Sequence, residues 1–238
     1  MISVCIATYN GEGYISEQLD SILKQLSLND EIIISDDSST DNTLEIIRSY
    51  KDERIKIFPS NKFHSPIFNF ENALKHAKGD YIFLSDQDDI WLDNKVEKMM
   101  EELQQSSLVV SDCYVVDKNC NIIHNSFFQN RPTTGIIRNL IKNNYLGCCM
   151  AFRREVLSKA LPFPKRIAMH DIWLGLCGAL FYKTTFIPDK LIMYRRHGGN
   201  VSPTAEKSKY GLMYKLSYRV NIMACLVKRY IDLYSIVK

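Results

Sequence analysis

The stretch YIFLSDQDDIW (residues 81–91) places three carboxylates directly after an apolar run that is typical of a buried strand. The side chains are those of Asp86, Asp88 and Asp89, and like charges this close raise each other's pKa. A bound cation would stabilise them, and oxygen ligands without a neighbouring Cys or His favour Mg²⁺ or Mn²⁺ over zinc. The alternative is a helix start, at which Asp89 and Asp93 would face the positive end of the helix dipole.

Apolar runs and helical patterns alternate through the first half of the chain. Strands are expected at residues 3–7, 31–35, 54–58 and 81–85. Amphipathic helices are expected at residues 15–26, around Leu44 and Ile47, at residues 66–77 and at residues 93–105. Strands that are apolar on both faces and alternate with helices predict an α/β fold. We expect a Rossmann-like, mixed but mostly parallel sheet with helices on both faces.

Polar clusters follow three of these strands. They are TYNGEG (8–13), DDSSTD (36–41) and DQDD (86–89). The carboxyl ends of parallel strands meet at one edge of a sheet, and α/β proteins bind their ligands in the crevice beyond that edge. The sequence therefore predicts that the three clusters form one site.

The second half of the chain is less regular. Residues 108–116 are predicted to form a strand, residues 143–157 a strand or loop that leads into a short helix, and residues 183–200 one or two strands. No internal repeat or low-complexity linker interrupts the pattern, so we expect a single domain over residues 1–204.

Residues 205–238 form a basic tail with a helical pattern. One helical face collects the apolar side chains of Leu212, Leu216, Val220, Met223 and Val227. Such a helix lies on an anionic membrane surface, or it packs on the domain or on a second subunit. Periodicity does not distinguish these partners, so both membrane contact and a homo-oligomer stay open.

Composition excludes several classes of protein. The 238 residues are 46% hydrophobic, which excludes wholesale disorder, and the net charge of +3 does not mark a nucleic-acid binder. The seven cysteines form no CxxC pair and are interpreted as reduced thiols at apolar positions. Neither a signal peptide nor a transmembrane run is recognisable. We therefore expect a cytoplasmic protein, with the tail allowing peripheral contact with the inner face of the plasma membrane.

Five motifs together resemble glycosyltransferase family 2, which has the nucleotide-diphospho-sugar transferase A fold. Three of them are CIATYNGEGYISEQLDSIL, EIIISDDSSTDNT and GDYIFLSDQDDIWLDNKVE. The SDQDDIW form, MHDIWL and YRRHGGNVS are similar to the rhamnosyltransferase-like branch of the family. The resemblance covers residues 2–204 and implies nucleotide-sugar binding by residues 1–105 and acceptor binding and catalysis by residues 106–204.

The resemblance assigns a donor site for a nucleotide-diphospho-sugar. Its predicted residues are Thr8, Tyr9, Asn10, Asp36, Asp37, Asp86, Arg195 and Arg196. Mg²⁺ or Mn²⁺ would be held by Asp88, Asp86 and His197, while Asp89 would orient the turn or cap the next helix. Gly198 and Gly199 would let the following loop fold over the bound donor.

The resemblance also implies that Asp171 in MHDIWL takes the proton of the acceptor hydroxyl. A positioned carboxylate base typically contributes about 10²–10⁴-fold in rate. The alternative is that Asp171 only caps a helix. Predicted acceptor-side residues are Gly147, His170 and Trp173, with the core as the alternative place for Trp173 and the preferred place for Trp91. Asn69 and Asn72 either contact the nucleotide or are exposed polar residues of a helix.

The predicted function is metal-dependent, inverting glycosyl transfer to a glycan or lipid-linked acceptor of a surface polysaccharide. The donor would be dTDP-L-rhamnose or a UDP-hexose. Two alternatives stay open, namely a nicotinamide-dependent Rossmann oxidoreductase and a non-catalytic nucleotide-sugar binding module. GEGYIS (11–16) begins like the dinucleotide motif GxGxxG, but Ser16 replaces its third glycine. A dehalogenase-type phosphatase would need its Asp-x-Asp after the first strand.

Overall fold

The computed structural model describes residues 1–128, 132–198 and 211–235. The strands in these ranges are β1 (Ile2–Thr8), β2 (Glu31–Asp36), β3 (Ile55–Phe58), β4 (Tyr81–Asp86), β5 (Ile90–Trp91), β6 (Leu108–Val116), β7 (Ile122–His124), β8 (Met150–Arg153) and β9 (Thr184–Arg195). The helices are α1 (Ile15–Leu23), α2 (Thr43–Ser49), α3 (Pro66–His76), α4 (Lys95–Glu102), α5 (Ile136–Ile141), α6 (Glu155–Ala160), α7 (His170–Phe181) and α8 (Leu212–Ser235). A 3₁₀ turn, Gly147–Cys149, precedes β8.

All nine strands belong to one mixed sheet. Its order is β3-β2-β1-β4-β8-β6-β9-β5, and β7 pairs with β6. Strands β1 to β4 are parallel to one another, and β8 is antiparallel to both of its neighbours, β4 and β6. The register pairs Thr8 with Asp36 and Ala7 with Asp86, so the polar clusters that follow β1, β2 and β4 meet at one edge.

The predicted α/β class and mostly parallel sheet are confirmed. Each of the four predicted strands in the first half lies within two residues of its observed bounds, and Pro66 opens α3 as expected. Elements of two to six residues were not predicted, namely β5, β7 and α5. Elements this short carry too few residues to show a period, and tertiary contacts decide whether they form.

The core lies on both faces of the central strands. Every residue of β2 is buried, as the continuous apolar run predicted. Helix α1 buries Ile15, Leu19 and Ile22 on one face, and each such side chain contributes about 1.5–3 kcal/mol when it is fully buried. Trp91 is 1% exposed and belongs to the core, as preferred.

Helix α8 packs on α7 with a different face from the one expected. Ile222 and Leu226 are buried, whereas Leu216, Val220 and Val227 are more than half exposed. The helix carries two apolar stripes, and the sequence pattern does not tell which one meets the domain. The side chain of Leu212 and the predicted boundary near residue 204 lie outside the described residues. Within the described ranges, no helix is both long and apolar enough to cross a membrane.

Candidate active site

The loop after β1 is held by hydrogen bonds from four consecutive backbone N–H groups to side chains. These bonds are Tyr9 to Gln87 Oε1 (2.9 Å), Asn10 to Ser39 Oγ (2.9 Å), Gly11 to Thr43 Oγ1 (2.7 Å) and Glu12 to Asp41 Oδ2 (3.0 Å). A dinucleotide-binding Rossmann loop needs such N–H groups to cradle the pyrophosphate. Here the loop is already satisfied by protein, which contradicts the nicotinamide alternative.

Asp36 and Thr8 form the buried floor of this end of the site. Both side chains are fully buried, and the Thr8 hydroxyl donates to Asp36 Oδ2 at 2.8 Å. Asp36 also accepts bonds from the backbone N–H and the hydroxyl of Ser39, at 2.9 and 2.6 Å. These bonds fix the turn after β2. Contact of Asp36 with a nucleotide base stays a prediction.

Asp37 connects the loop before α3 to Thr8, the residue that precedes Tyr9. Its two carboxylate oxygens accept the backbone N–H groups of Phe63 (2.7 Å) and Ser65 (3.1 Å), and its own N–H donates to the carbonyl oxygen of Thr8 (3.0 Å). Tyr9 is 56% exposed and offers a ring face, as the prediction of a base pocket requires.

Gln87 is a site residue that the sequence reasoning missed. Its amide makes two bonds to the backbone of Tyr9, accepting from the N–H at 2.9 Å and donating to the carbonyl at 3.0 Å. A Cβ at Gly11 would lie 2.5 Å from Gln87 Oε1, so a larger residue there would displace the Gln87 amide from Tyr9. The sequence analysis assigns no role to Gln87, and the available signal was an amide side chain between two carboxylates of the strand-end cluster.

Asn69 corrects an expectation, because it is neither exposed nor at the ligand surface. It is 2% exposed, and its amide donates to the carbonyl oxygen of Thr8 at 3.1 Å. Asn72 donates to Ser35 Oγ at 2.9 Å. Both residues therefore connect α3 to the ends of β1 and β2.

The acidic turn after β4 meets the end of β9. Nε2 of His197 lies 2.8 Å from Oδ2 of Asp88, and Oδ1 of Asp89 accepts the backbone N–H of Arg195 at 2.9 Å. The ring of Tyr14 stacks on His197 with 4.7 Å between the centroids. Residues about a hundred positions apart are thus brought together, as the predicted pairing of Asp88 with His197 requires.

Asp89 orients this turn, whereas its predicted alternative role as a helix cap is wrong. The residue is 1% exposed and bonds to β9, and the N-cap position of α4 is occupied by Asn94. Asp93 instead forms a surface ion pair with Lys24 at 2.6 Å.

The two arginines differ in their surroundings. Arg195 is 4% exposed, its guanidinium binds Glu17 at 2.6 Å, and it lies over the ring of Tyr14 at 5.0 Å. Arg196 is half-buried, and its backbone N–H bonds to the carbonyl of Val116. Arg195 therefore connects β9 to α1 through its ion pair with Glu17. Phosphate contact by either arginine stays a prediction. Gly198 is described, whereas Gly199 lies outside the described residues.

The carboxylates of the turn are suited to a cation. Burial, and then the charge of Asp88, raises the pKa of Asp86 to about 8. Burial also raises the pKa of Asp89. A divalent cation would restore the ionised forms, because a nearby opposite charge favours the charged state. Carboxylate oxygens such as those of Asp86 and Asp88 are the ligands that Mg²⁺ and Mn²⁺ prefer, and His197 contacts Asp88. Metal binding by these three residues stays a prediction.

Lys95 is a buried cation behind this turn. Its ammonium is fully buried, donates to the carbonyl oxygen of Cys148 at 2.7 Å and lies 4.1 Å from the centroid of the Trp91 ring. Burial lowers its pKa to about 8. Lys95 thus links the start of α4 to the 3₁₀ turn and was not predicted as a site residue.

Asp171 lies at the start of α7 and is 8% exposed. Its carboxylate accepts backbone N–H groups from Ile172, at 2.6 Å, and Gly147, yet burial raises its pKa to about 6. The charge of Asp171 also raises the pKa of Asp86, which indicates that the two carboxylates are close enough to interact electrostatically. A carboxyl with a pKa near neutrality can accept a proton during turnover.

Two of the predicted acceptor-side residues, Gly147 and His170, lie next to Asp171. A Cβ at Gly147 would lie 2.9 Å from Nε2 of His170, so glycine permits this close approach, as expected. His170 is 4% exposed and stacks on Phe70 at 4.1 Å, and burial lowers its pKa to about 3, which keeps the ring neutral. Acceptor contact by Gly147 and His170 stays a prediction.

The predicted role of Trp173 as an acceptor platform is wrong. The side chain is fully buried, and its Nε1–H donates to the carbonyl oxygen of Ala160 at 2.9 Å. A stacking platform needs an exposed ring face, so Trp173 takes its alternative place in the core.

Comparison with known proteins identifies the family of this α/β fold. The profile of glycosyl transferase family 2 matches residues 3–161. The chain therefore belongs to glycosyl transferase family 2.

Curated relatives agree with this assignment. An uncharacterised glycosyltransferase of Nostoc sp. (strain PCC 7120) is 30% identical over 84% of this chain and 66% of that protein. The Escherichia coli glucosyltransferase WfgD is 30% identical over 69% of this chain and 64% of that protein. The Shigella flexneri dTDP-rhamnosyl transferase RfbG is 30% identical over 91% of this chain and 82% of its own length. The chain thus spans just under two thirds of the first two relatives.

Solved structures share the fold at low sequence identity. Staphylococcus aureus TarS (residues 1–349) in complex with UDP-GlcNAc has a TM-score of 0.69 and 21% identity, covering 97% of this chain and 72% of that one. The mannosyltransferase PcManGT of Pyrobaculum calidifontis, in complex with GDP-Man and Mn²⁺, has a TM-score of 0.59 and 19% identity, covering 88% and 58%. These likenesses confirm the expected glycosyltransferase A fold.

Proposed function

We propose that the protein is a metal-dependent, inverting glycosyltransferase of surface polysaccharide synthesis. The observation that carries the proposal is the convergence of three elements on one cleft. The end of β4 supplies Asp86 and Asp88, the end of β9 supplies His197, and the start of α7 supplies Asp171. Inverting transfer needs this division between a cation site for the leaving group and a separate carboxylate base.

The chain's own residues divide the reaction between them. Asp171 takes the proton of the acceptor hydroxyl while the acceptor oxygen bonds to the anomeric carbon. The bond from that carbon to the diphosphate oxygen breaks, and the nucleoside diphosphate leaves with the bonding electrons. Asp86, Asp88 and His197 would hold a divalent cation, which supplies charge stabilisation to the departing diphosphate. Tyr9, Asp36 and Asp37 would bind the base.

A pyrimidine nucleotide is the proposed donor nucleotide. RfbG is named as a dTDP-rhamnosyl transferase, WfgD uses UDP-Glc, and TarS was crystallised with UDP-GlcNAc. We propose dTDP-L-rhamnose as the donor, with a UDP-hexose as the second candidate. WfgD acts on a GlcNAc-diphosphoundecaprenol, which supports a lipid-linked acceptor for this chain as well.

Calorimetric titration tests the donor site directly. Purified protein is titrated with UDP, dTDP, GDP and NAD, each with and without Mn²⁺. We expect Mn²⁺-dependent binding of UDP or dTDP, and we expect Asp88→Ala to abolish it while Asp171→Asn retains it. Mn²⁺-independent binding of NAD without any diphosphate binding would contradict the proposal. If Asp171→Asn formed product at the wild-type rate, another group would be the base.

The proposed lipid-linked acceptor calls for a membrane-facing surface beside Asp171. Three segments contact each other next to α7, namely α5, residues 161–169 and α8. Arg219 of α8 donates to the carbonyl oxygen of Ile141 at 2.6 Å, and Asn221 donates to the carbonyl oxygen of Arg166. The described part of the chain therefore presents these segments as one surface, which we name the α5–α8 surface.

The α5–α8 surface combines exposed apolar side chains with positive charge. Exposed apolar residues are Ile137, Ile141, Met213, Leu216 and Val220, each at least 55% exposed. Exposed basic residues are Arg138, Lys142, Lys165 and Arg166. Residues 132–145, 161–169 and 211–231 contain no Asp or Glu. Apolar side chains among unopposed cations match an anionic lipid surface, and we propose that the protein binds the cytoplasmic leaflet there.

Vesicle cosedimentation tests this surface. The wild type is expected to sediment with phosphatidylglycerol vesicles and to stay in solution with pure phosphatidylcholine. Val220→Glu and Ile137→Glu should each reduce sedimentation, because a carboxylate would meet the anionic surface. Leu28→Glu is the matched control, since Leu28 is 89% exposed and lies in the loop between α1 and β2. Equal sedimentation of all variants, or self-association that Val220→Glu abolishes, would contradict the membrane assignment.

A further inference from the structure

A second group of ligand atoms lies deeper than the Asp88–His197 pair. One oxygen each of Asp86 and Asp89 and the Sγ of Cys148 all lie within 4.8 Å of one another. In a tetrahedral zinc site, bonds of about 2.0 Å to oxygen and 2.3 Å to sulfur place ligand atoms about 3.3–3.5 Å apart. Closing this cluster on an ion therefore needs movements of roughly an ångström, which side-chain rotations can supply.

An unsatisfied buried oxygen points independently to a missing ligand. Asp89 is 1% exposed, and its Oδ1 accepts the backbone N–H of Arg195. Among the described residues its other oxygen, Oδ2, accepts no bond that meets hydrogen-bond geometry, and the neighbouring polar group is the Cys148 thiol of the same cluster. Leaving a buried acceptor unsatisfied costs about 1–3 kcal/mol, and more when the group is charged. A metal ion bonded to this oxygen would remove that cost.

The donor set of this cluster differs in chemistry from that of Asp86, Asp88 and His197. A cysteine sulfur selects thiophilic ions such as Zn²⁺ and Co²⁺, whereas carboxylates suit Mg²⁺ and Mn²⁺. We propose that Asp86, Asp89 and Cys148 form a thiophilic metal site that inhibits the enzyme when it is occupied. The inhibitory consequence rests on the proposed function, because Asp86 is shared between the two sites.

Binding at this site has a defined proton balance. The Cys148 thiol loses its proton to solvent as the sulfur–metal bond forms, and Asp86 and Asp89 bind as carboxylates. Three protein ligands leave one position of a four-coordinate ion for water. The ammonium of Lys95, bonded to the carbonyl of Cys148, brings a positive charge near the site and limits its affinity. Asp86 would be shared with the proposed Mg²⁺ or Mn²⁺ site, so a thiophilic ion bound here would oppose cation-dependent donor binding.

Cobalt spectroscopy tests the site without reference to activity. A thiolate bound to Co²⁺ gives an intense charge-transfer band in the near ultraviolet, which carboxylate ligands do not give. Wild-type protein titrated with Co²⁺ should develop the band, and Cys148→Ala should lose it. Cys177→Ala is the matched control, because Cys177 is an equally buried free thiol on α7 outside the cluster. Circular dichroism and thermal unfolding confirm that both variants fold.

The second arm links the site to the donor. Zn²⁺ should weaken Mn²⁺-dependent diphosphate binding in the wild type and in Cys177→Ala. The Zn²⁺ concentration needed for the same weakening should be at least tenfold higher in Cys148→Ala. A charge-transfer band that persists in Cys148→Ala, or its absence from the wild type, would overturn the thiophilic site. Absence of diphosphate binding under all conditions would instead overturn the proposed function and leave the spectroscopic result standing.

Discussion

The carboxylates after β2 and the carboxylates near the end of β4 and the start of α7 have opposite surroundings. At the nucleotide end, Asp36 accepts three hydrogen bonds from Thr8 and Ser39, and Asp37 accepts two from the loop before α3. At the catalytic end, burial raises the pKa of Asp86 to about 8 and that of Asp171 to about 6. The carboxylates of one end are satisfied by hydrogen bonds within the protein, whereas those of the other end have raised pKa values, which a bound cation would lower.

This difference indicates which end supplies stability and which supplies chemistry. Hydrogen bonds within the protein fix the loops that shape the nucleotide pocket before any ligand arrives. Buried carboxylates with raised pKa values oppose folding at neutral pH, and they are retained at sites where a charged group is needed for catalysis. Substitutions at the two ends should therefore have opposite effects on stability and unequal effects on rate.

The largest expected effect is on the rate of Asp171→Asn. An amide cannot take the acceptor proton, so we expect kcat to fall by about 10²–10⁴-fold while the Kd for the nucleoside diphosphate stays unchanged. Steady-state transfer assays and calorimetry with Mn²⁺ measure the two quantities. Loss of diphosphate binding in a folded Asp171→Asn protein would show that this carboxylate belongs to the donor side.

Removing a carboxylate from the nucleotide end should destabilise the fold. Asp36→Ala leaves the buried donors of Thr8 and Ser39 without an acceptor, and we expect the free energy of unfolding to fall by about 2–4 kcal/mol. Urea denaturation provides the measurement. Asp80→Ala is the control, because its side chain is 75% exposed and a surface ion pair of this kind contributes about 0–1 kcal/mol. Equal losses in both variants would mean that the Asp36 network adds no stability.

The same measurement on Asp171→Asn should change in the opposite direction. The folded-state pKa of about 6 exceeds the usual 3.8, so stability is lost as pH rises between these values and the cost is complete above pH 6. Removing the charge should raise the free energy of unfolding at pH 8 by up to about 3 kcal/mol, with no gain at pH 3. A variant less stable than the wild type at pH 8 would show that the backbone bonds to this carboxylate outweigh its burial.

The pH dependence of transfer should reflect the same group. The base must be ionised, so kcat should fall about tenfold per pH unit below pH 6 and level off above it. The residual kcat of Asp171→Asn should not show this fall below pH 6. An inflection near pH 4 instead would mean that burial does not perturb the base in the complex.

The smallest expected effect belongs to Gln87→Ala. The amide of Gln87 holds both backbone groups of Tyr9, so its loss should loosen the nucleotide pocket and raise the KM for donor several-fold, with kcat little changed. Gln104→Ala is a suitable control, since Gln104 is exposed and its side-chain amide donates to the carbonyl oxygen of Met100 in α4, away from the nucleotide loop. A fall in kcat without a change in KM would place Gln87 in the reaction itself.

Much of this architecture could be predicted from the sequence because its signals are local. The apolar runs of β1, β2 and β4 fixed their faces and lengths, and the clusters after them fixed the edge of the sheet that carries the site. Short elements such as β5 escaped, since two residues carry no period. The burial of Trp173 was not predicted either, because the sequence around a tryptophan near a site does not show whether its ring is exposed or fully buried.

The sequence by itself determined the class of fold, the edge of the sheet at which the polar clusters meet and the residue types that lie there. These follow from hydrophobic period and from the order of strands and polar clusters, both of which are local properties of the chain. Only the tertiary structure decided that Asp89 leaves one oxygen beside Cys148, that Gln87 holds Tyr9, and which stripe of α8 faces the domain. Those outcomes depend on packing between residues far apart in sequence, and no local pattern records such distances.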